Sequence, residues 1–366
     1  MALCAGDWVE VRSKEEILRT LDKHGRLENM PFMPEMFAHC GRRIRVYKRA
    51  HKACDTLPTT GTLSRSLRNG VVLEGARCTG SAHGGCQAQC SIFWKEAWLK
   101  PAPDPSAPRA PHQADDMAAS ECSEADVQSA SQADDTSTER PRYRCQATDF
   151  QLYTDELRTR NVSQYVEDWK SRNVSIKTML QSFSYHGLKF LARPKWGDDG
   201  GTFVRLYDWY QRLRGGVPYP RRKGKVQPGS TQPMDELHLR PGELVRVKSY
   251  EFILTTIDAN NMNRGMSFDG EMVPYCGGIF RVRARVERFV DERTGYMRLM
   301  KTPAVILDNV WCRSHYTPFR LFCPRSIYSW WREIWLERVP EATAPSVEGA
   351  LGARNILKPI ADEQKT

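Results

Sequence analysis

The chain has 366 residues, enough for two or three domains, and its ten tryptophans and 10% aromatic content indicate packed cores. A mean hydropathy of -0.58 and the lack of a long apolar run exclude a membrane-spanning protein, so we expect no membrane partner. Eleven cysteines without a basic and apolar leader are typical of metal ligands or free thiols in a reducing compartment, and we predict a cytoplasmic protein.

The net charge of +10 is unevenly distributed. Residues 101–141 carry nine acidic and two basic residues, a net charge of -7, so the rest of the chain sums to +17. A basic body suits phosphate, nucleic acid or an acidic partner, although a solvated basic surface balanced by an acidic linker has the same composition.

The first 100 residues have the pattern of a small β domain. Apolar and polar residues alternate at 8–12 and 43–48, which predicts two strands, and the apolar residues at 71–75 predict a further short strand. Between the first two, residues 14–21 form a predicted helix with a capping box that begins at Ser13. The domain ends in a tryptophan-rich segment at 93–99.

The central part of the chain has a different composition. Residues 101–141 are rich in Pro, Ala, Ser and Asp, which predicts a disordered acidic linker. Helical patterns follow within 142–225, which we interpret as an α-rich middle segment, either a small domain or an extension of the next domain. The tail at 341–366 is predicted to be flexible.

Residues 240–340 repeat the first domain. Gly6-Asp-Trp-Val-Glu-Val returns as Gly242-Glu-Leu-Val-Arg-Val, and the register holds at an offset of 236 for about forty positions. A hairpin is predicted at 280–300 with its turn at 291–295, followed by a second tryptophan-rich segment at 330–336. Several short strands in under a hundred residues favour a half-open barrel. We therefore predict a mainly β (α+β) protein with two SH3-like small barrels from an internal duplication.

Cysteines concentrate in the first repeat. Cys54 and Cys78 follow two predicted strands, and Cys86 and Cys90 lie a few residues further on in a glycine-rich loop with His83. Because glycine lets the backbone wrap, these four thiolates are a predicted Cys4 site for Zn²⁺ or an iron–sulfur cluster. His83 is either a further ligand or a hydrogen-bonding loop residue that orients the thiolates.

The second repeat lacks half of this set. Cys312 aligns with Cys78 and Cys323 with Cys86, but the other two positions are not cysteine. The thiols of the first repeat are therefore metal ligands, small buried core residues or reactive groups. Cys40 and Cys276, which match between the repeats, are interpreted as packing residues.

The sequence also fits two other functions. An enzyme would use Cys86 or Cys90 with His83 as its base at a cleft between the repeats, while Glu35 and Glu271 would act as acid/base groups or bind loop backbone. A nucleic-acid-binding module would use the cations of two basic strands, unless these cations only protect an exposed strand. The cations concerned are Arg43, Arg45, Arg281 and Arg283.

Several segments of the first repeat resemble a bacterial protein family. They are 29–36, 40–43, 46–55 and 73–99, and the second repeat matches in part. The resemblance implies a bacterial cytoplasmic origin but no activity. The strand order is also similar to SH3-like barrels of the KOW and nitrile hydratase β-subunit kind, with no residue roles to transfer. The first hypothesis is a binding or accessory protein with a metal site in repeat one and a protein partner.

Overall fold

The computed structural model describes residues 2–57, 64–103, 120–133, 141–158, 160–191 and 201–340. Over these ranges the chain is mainly β, with several sheets and a few short helices. It divides into two compact units: unit 1 comprises Met1–Val174, Arg288–Leu299 and Phe322–Ser326, and unit 2 comprises Ser175–Glu287, Met300–Leu321 and Ile327–Thr366. No helix within the described ranges combines the length and hydropathy that a membrane crossing requires.

Within the described residues, the part of unit 1 before Val174 contains ten short strands and three α-helices. The strands are β1 (Trp8–Val11), β2 (Arg26–Leu27), β3 (Met30–Pro31), β4 (Arg43–Arg49), β5 (Lys52–Cys54), β6 (Ser64–Ser66), β7 (Gly70–Arg77), β8 (Ser91–Lys95), β9 (Leu99–Pro101) and β10 (Asp155–Glu156). The helices are α1 (Lys14–Leu18), α2 (Glu124–Ala130) and α3 (Ser163–Lys170), with 3-10 helices at Pro34–His39 and Glu96–Trp98.

The main sheet of unit 1 has five strands in the order β8-β7-β4-β1-β9. Its alternating sequence explains one buried face: successive residues of β4 are alternately half-buried and buried, with Ile44 and Val46 inward. Antiparallel pairing sets Glu10 opposite Arg43, and their side chains form an ion pair with Nε and Oε2 at 3.4 Å.

The described residues of unit 2 form seven strands and three α-helices. They are α4 (Ile176–Leu191), α5 (Thr202–Leu213), β11 (Leu244–Val247), α6 (Tyr250–Leu254), β12 (Met262–Asn263), β13 (Met266–Ser267), β14 (Ile279–Val290), β15 (Met297–Trp311), β16 (Tyr328–Trp331) and β17 (Leu336–Arg338). Three 3-10 helices lie at Gly270–Tyr275, Pro318–Arg320 and Glu333–Trp335. The residues of the β14–β15 hairpin between 288 and 299 belong to unit 1.

The main sheet of unit 2 follows the same plan as that of unit 1. Its order is β16-β15-β14-β11-β17. Leu244 pairs with Arg281, as Trp8 pairs with Arg45, so the register of the first two strands is the same after an offset of 236. One strand is longer than the sequence pattern predicts, because β15 continues past residue 300, where the predicted hairpin ends, as far as Trp311.

The same aromatic packing fills both cores. In unit 1 the Phe32 ring meets the Trp98 ring edge-on, with centroids 5.1 Å apart. In unit 2 Phe268 and Trp335 do so at 5.3 Å. Each of these tryptophans is fully buried and lies in the predicted tryptophan-rich segment. These large side chains therefore anchor each sheet to the 3-10 helices beside it.

The helices predicted within 142–225 are present, but they divide between the units. α3 belongs to unit 1, whereas α4 and α5 belong to unit 2. α4 and α5 pack through a small cluster of buried residues, namely Tyr185, Val204, Tyr207 and Tyr219. The composition of this segment indicates helices correctly, but it carries no signal for the boundary at Val174.

Helix α2 lies inside the segment that we predicted to be a disordered linker. Ser123 caps it, and the side chain of Asp126 accepts a hydrogen bond from the Ser123 amide. Val127 and Cys122 are buried, so this stretch has a hydrophobic anchor that the overall composition conceals. The linker residues 104–119 and 134–140 and the tail 341–366 lie outside the described residues.

Candidate metal centre

Glu35 is positioned by the 3-10 helix Pro34–His39 of unit 1. Pro34 suits the first position of this helix because no backbone donor is needed there. The helix turns Glu35 inward, and the residue is 8% exposed. A buried carboxylate is stable only with hydrogen-bond donors or a cation around it.

The loop between β7 and β8 supplies the partners of Glu35. Gly80 has a φ of +74°, and a Cβ at this position would clash with the carbonyl oxygen of Cys86, so the turn requires glycine. The loop closes on itself through the His83 amide and Gly80 oxygen at 3.0 Å, and the Cys78 amide and Cys90 oxygen at 2.9 Å. This closure turns the His83 ring inward, where the residue is 1% exposed.

Three donor atoms converge where the loop meets the helix. His83 Nδ1 lies 2.9 Å from Glu35 Oε1, and Cys78 Sγ lies 3.8 Å from the same oxygen. One donor atom from each of the three residues falls within 4.8 Å of the other two. Among the described residues, these three side chains form the group of His, Cys, Asp or Glu residues whose ligand atoms lie close enough together to hold one metal ion. Its mixture of nitrogen, sulfur and oxygen donors is typical of transition-metal sites.

Both nitrogens of the His83 ring face hydrogen-bond acceptors. Nε2 lies 3.0 Å from the carbonyl oxygen of Arg144, which only accepts, so Nε2 carries a proton. Nδ1 faces the Glu35 carboxylate, which also only accepts when ionised. A cation is therefore required between them: a second ring proton, or a metal ion bound by Nδ1 and the carboxylate.

Glu35 also has unused acceptor capacity. Its Oε1 accepts a hydrogen bond from the Ala82 amide at 3.1 Å as well as facing His83. Its Oε2 is buried, and no group in the described part of the chain donates to it. Leaving a buried carboxylate oxygen unpaired is costly, so a ligand with positive charge would stabilise this arrangement.

The pKa shifts at the site have identifiable causes. Burial opposes ionisation of Glu35, but the hydrogen bond and charge of His83 outweigh it, so the pKa of Glu35 lies below its ordinary value. Burial raises the pKa of the Cys78 thiol, and the charge of Glu35 raises it further. A thiolate at Cys78 therefore depends on a nearby cation.

Unit 2 contains a counterpart in which the glutamate is fully paired. Glu271 Oε2 accepts from the His315 amide at 2.9 Å, and Oε1 accepts from the Tyr316 amide at 2.6 Å. Burial is the main cause of its raised pKa. Both glutamates therefore bind loop backbone, which was one of the two alternatives for Glu35 and Glu271. They differ in one partner, because Glu35 has an imidazole beside it where Glu271 has a second amide.

We expect these two carboxyl groups to titrate on opposite sides of 4.5, the ordinary pKa of a glutamate, with Glu35 below and Glu271 above it. Carboxyl-detected NMR titration of metal-free protein measures both. Stabilisation by Glu35 is present above 4.5 and is lost as pH falls, because its pKa is lower in the folded than in the unfolded chain. The sign for Glu271 is the reverse, and its contribution is lost as pH rises above 4.5.

The variant His83→Gln separates the causes of the two shifts. It should raise the pKa of Glu35, because the imidazole that lowers it is gone, and leave that of Glu271 unchanged. A Glu35 carboxyl that titrates above Glu271 in the unmodified protein would contradict the assigned hydrogen bond.

Of the four cysteines predicted as ligands, Cys78 belongs to the group of three. The Cys54 amide donates to the sulfur of Cys323 at 3.1 Å. Cys86 Sγ accepts from the Val290 amide at 3.3 Å. The four-thiolate site therefore stays a prediction, and the described convergence instead pairs one thiol with an imidazole and a carboxylate.

The fourth predicted ligand, Cys90, lies near charged groups and other thiols. Burial raises its pKa to about 12, and Glu292 and Cys145 act in the same direction, whereas Arg325 opposes them. Burial likewise raises the pKa of Cys145 to about 11. Sequence reasoning overlooked Cys145 because it lies far from the other cysteines in sequence and has no ligand spacing.

The cysteine-dependent enzyme needs a base at His83. Both ring nitrogens of His83 are engaged, by Glu35 and by the Arg144 carbonyl, and neither faces Cys86 or Cys90. The high pKa of Cys90 also disfavours the thiolate that such chemistry requires. These contacts favour metal binding over acid/base catalysis at His83.

The four arginines predicted as nucleic-acid contacts bond within their own sheets. Arg43 pairs with Glu10, and Arg45 Nε donates to the Gly6 oxygen at 3.2 Å. In unit 2, Arg281 donates to the Gly242 oxygen, and Arg283 lies 3.2 Å from Asp308. The charges of Arg43 and Arg283 are thus paired with carboxylates, whereas the contacts of Arg45 and Arg281 to backbone oxygens leave their charges in place.

Comparison of the chain with protein-family models, curated proteins and solved structures gives no match.

Proposed function

We propose that unit 1 binds one Zn²⁺ ion through Glu35, Cys78 and His83. The observation that carries the proposal is the convergence of the three side chains, because His83 Nδ1 and Cys78 Sγ both face Glu35 Oε1 and one donor atom of each residue lies within 4.8 Å of the other two. The unpaired Oε2 of Glu35 supports the same conclusion. The carbonyl of Arg144 would hold the ring orientation and leave Nδ1 for the metal.

The donor set favours zinc over other ions. Mg²⁺ and Ca²⁺ prefer oxygen ligands alone, whereas zinc is bound by cysteine, histidine and carboxylate together. An iron–sulfur cluster usually takes four thiolates, and this group of three contains one. Three protein ligands leave one zinc position for water or a ligand atom from a partner.

We further infer that the two units carry tandem SH3-like barrels that arose by internal duplication, with unit 2 as the metal-free copy. The matching strand order, the shared register and the paired aromatic contacts support this inference. The protein would then act as a cytoplasmic binding or accessory protein, in which unit 1 presents the metal to a protein partner.

Zinc titration of the full chain tests the proposal. Protein freed of metal by a chelator should bind one equivalent of Zn²⁺ in competition with a chromogenic chelator. His83→Gln and Cys78→Ser should each weaken binding by at least about 100-fold, because each removes a direct ligand. Affinity should rise with pH, since the Cys78 thiol must release its proton on binding.

Two variants serve as matched controls. His39→Gln and Cys40→Ser remove the same residue types from the helix that carries Glu35 and from its C-cap, outside the donor group. Both should bind zinc as the unmodified protein does. Tight binding that survives His83→Gln, or that is lost equally in His39→Gln, would contradict the proposed ligand set.

A further inference from the structure

A second sulfur site in unit 1 joins residues from distant parts of the chain. Cys54 ends strand β5, and Cys323 lies in the segment Phe322–Ser326, which belongs to unit 1. The Cys54 amide donates to Cys323 Sγ at 3.1 Å across a sequence separation of 269 residues. Burial raises the pKa of the Cys323 thiol, and the neighbouring Cys54 thiol raises it further. Each cysteine is 3% exposed.

A buried arginine holds this arrangement together. Arg325, also 3% exposed, donates to the carbonyl oxygen of Cys54 at 3.2 Å and pairs with Glu292 at 2.9 Å. Its guanidinium group lies over the Phe150 ring, 5.1 Å from the centroid. Arg325 follows Cys323 by two residues and is bonded to the backbone of Cys54. It therefore restricts how far the two sulfurs can separate.

The segment that carries Cys323 is held in an unusual conformation. Phe322 and Ser326, at its two ends, have φ values of +61° and +43°, which non-glycine residues rarely adopt. Phe322 is fully buried, so packing maintains this backbone. Backbone strain of this kind persists where surrounding structure imposes it, and it concentrates at functional sites.

The chain contains an internal comparison for this site. Cys86, the counterpart of Cys323, accepts a hydrogen bond from the amide of Val290 at 3.3 Å, and Val290 is 236 positions after Cys54. The same backbone-to-sulfur contact therefore occurs twice, but only at Cys54 does the amide belong to a cysteine. Cysteines that only fill a core need not lie beside each other, whereas a redox pair requires two neighbouring sulfurs.

We propose that Cys54 and Cys323 are a redox-active pair that forms a reversible disulfide bond. With a low-molecular-weight disulfide such as glutathione disulfide as oxidant, one of the two cysteines loses its proton, attacks the disulfide and releases one glutathione thiol. Because burial raises the pKa of Cys323, this step should be faster at alkaline than at neutral pH. The second cysteine then displaces the other glutathione and forms the Cys54–Cys323 bond. Two protein thiols are thus oxidised, two electrons and two protons pass to glutathione, and two glutathione thiols result.

Disulfide mapping of the full chain tests this proposal. Reduced protein is equilibrated with excess glutathione disulfide, quenched with acid, alkylated and digested without reduction. The peptide pair that joins Cys54 to Cys323 should exceed any other cross-linked pair by at least about tenfold, because the Cys54 backbone and Arg325 hold these two cysteines together. The result should be the same with and without zinc, since the pair shares no residue with the proposed zinc site.

Three variants make the result specific. Cys54→Ser should leave Cys323 reduced or bound to glutathione, and the control Cys40→Ser should leave the cross-link unchanged. Val290→Cys should create a second cross-link, to Cys86, because it restores a thiol at the matching contact. The proposal is overturned if mapping of the unmodified protein finds Cys54 and Cys323 both alkylated while other cysteines pair. This test does not depend on whether the variants fold.

Discussion

Replacing Lys52 by methionine should destabilise unit 1 by about 3–5 kcal/mol, because it leaves the Asp168 carboxylate buried without a counter-ion. Asp168 is fully buried, and Lys52 Nζ lies 2.6 Å from its Oδ2. His51 is also near Asp168, at 3.3 Å, but burial lowers the pKa of His51 to about 3, so the imidazole is neutral at pH 7. Urea denaturation followed by circular dichroism measures the loss.

A double variant distinguishes lost pairing from lost packing. Lys52→Met with Asp168→Leu removes both charges and should recover most of the stability, because the cost comes from the unpaired charge. The exposed pair Arg68 and Asp155, at 3.1 Å, provides the control, and Arg68→Met should cost less than about 1 kcal/mol. Equal losses for Lys52→Met and Arg68→Met would contradict the assignment.

The buried pair also predicts a pH dependence. Burial raises the pKa of Asp168 to about 6, above its value of about 3.9 in an unfolded chain. The folded state therefore binds this proton more tightly, and the contribution of Asp168 to stability is full at low pH and lost as pH rises through 6. Lys52→Met should raise the pKa of Asp168 further and so enlarge this loss of stability, because the attraction of Lys52 opposes the effect of burial on that pKa.

Truncating Trp98 to alanine should cost about 3–5 kcal/mol of the stability of unit 1. The side chain is fully buried, packs edge-on against Phe32, and donates from Nε1 to the Thr20 hydroxyl at 3.0 Å. The truncation creates a cavity and leaves the donor's partner without its bond. Hydrogen exchange at the amides of β1, β4 and β7 should accelerate in proportion to the loss.

The chain supplies a matched pair and a control for this prediction. Trp335 donates to Thr256 at 2.9 Å and is equally buried, so Trp335→Ala should produce a similar loss in unit 2. Trp169 is 52% exposed, and Trp169→Ala should change stability by less than about 0.5 kcal/mol. A small effect at Trp98 or a large one at Trp169 would contradict the description of the core.

Local patterns predict much of the fold. Alternation identifies β1 and β4, a short apolar run identifies β7, and the capping box at Ser13 identifies α1, although the helix ends at Leu18 rather than Leu21. The tryptophan-rich segments lie in both cores, as large aromatic side chains require. The patterns fail where a long segment averages unlike parts, so the short helix α2 was hidden by the acidic composition around it.

The sequence by itself determined the repeated strand plan, because alternation and capping act between residues a few positions apart. It also identified His83 and Cys78 as members of a glycine-rich loop. Only the tertiary structure decided that Glu35 meets this loop and that Cys54 meets Cys323. Such contacts depend on how distant segments pack against one another, and the spacing of residues along a chain does not record that packing.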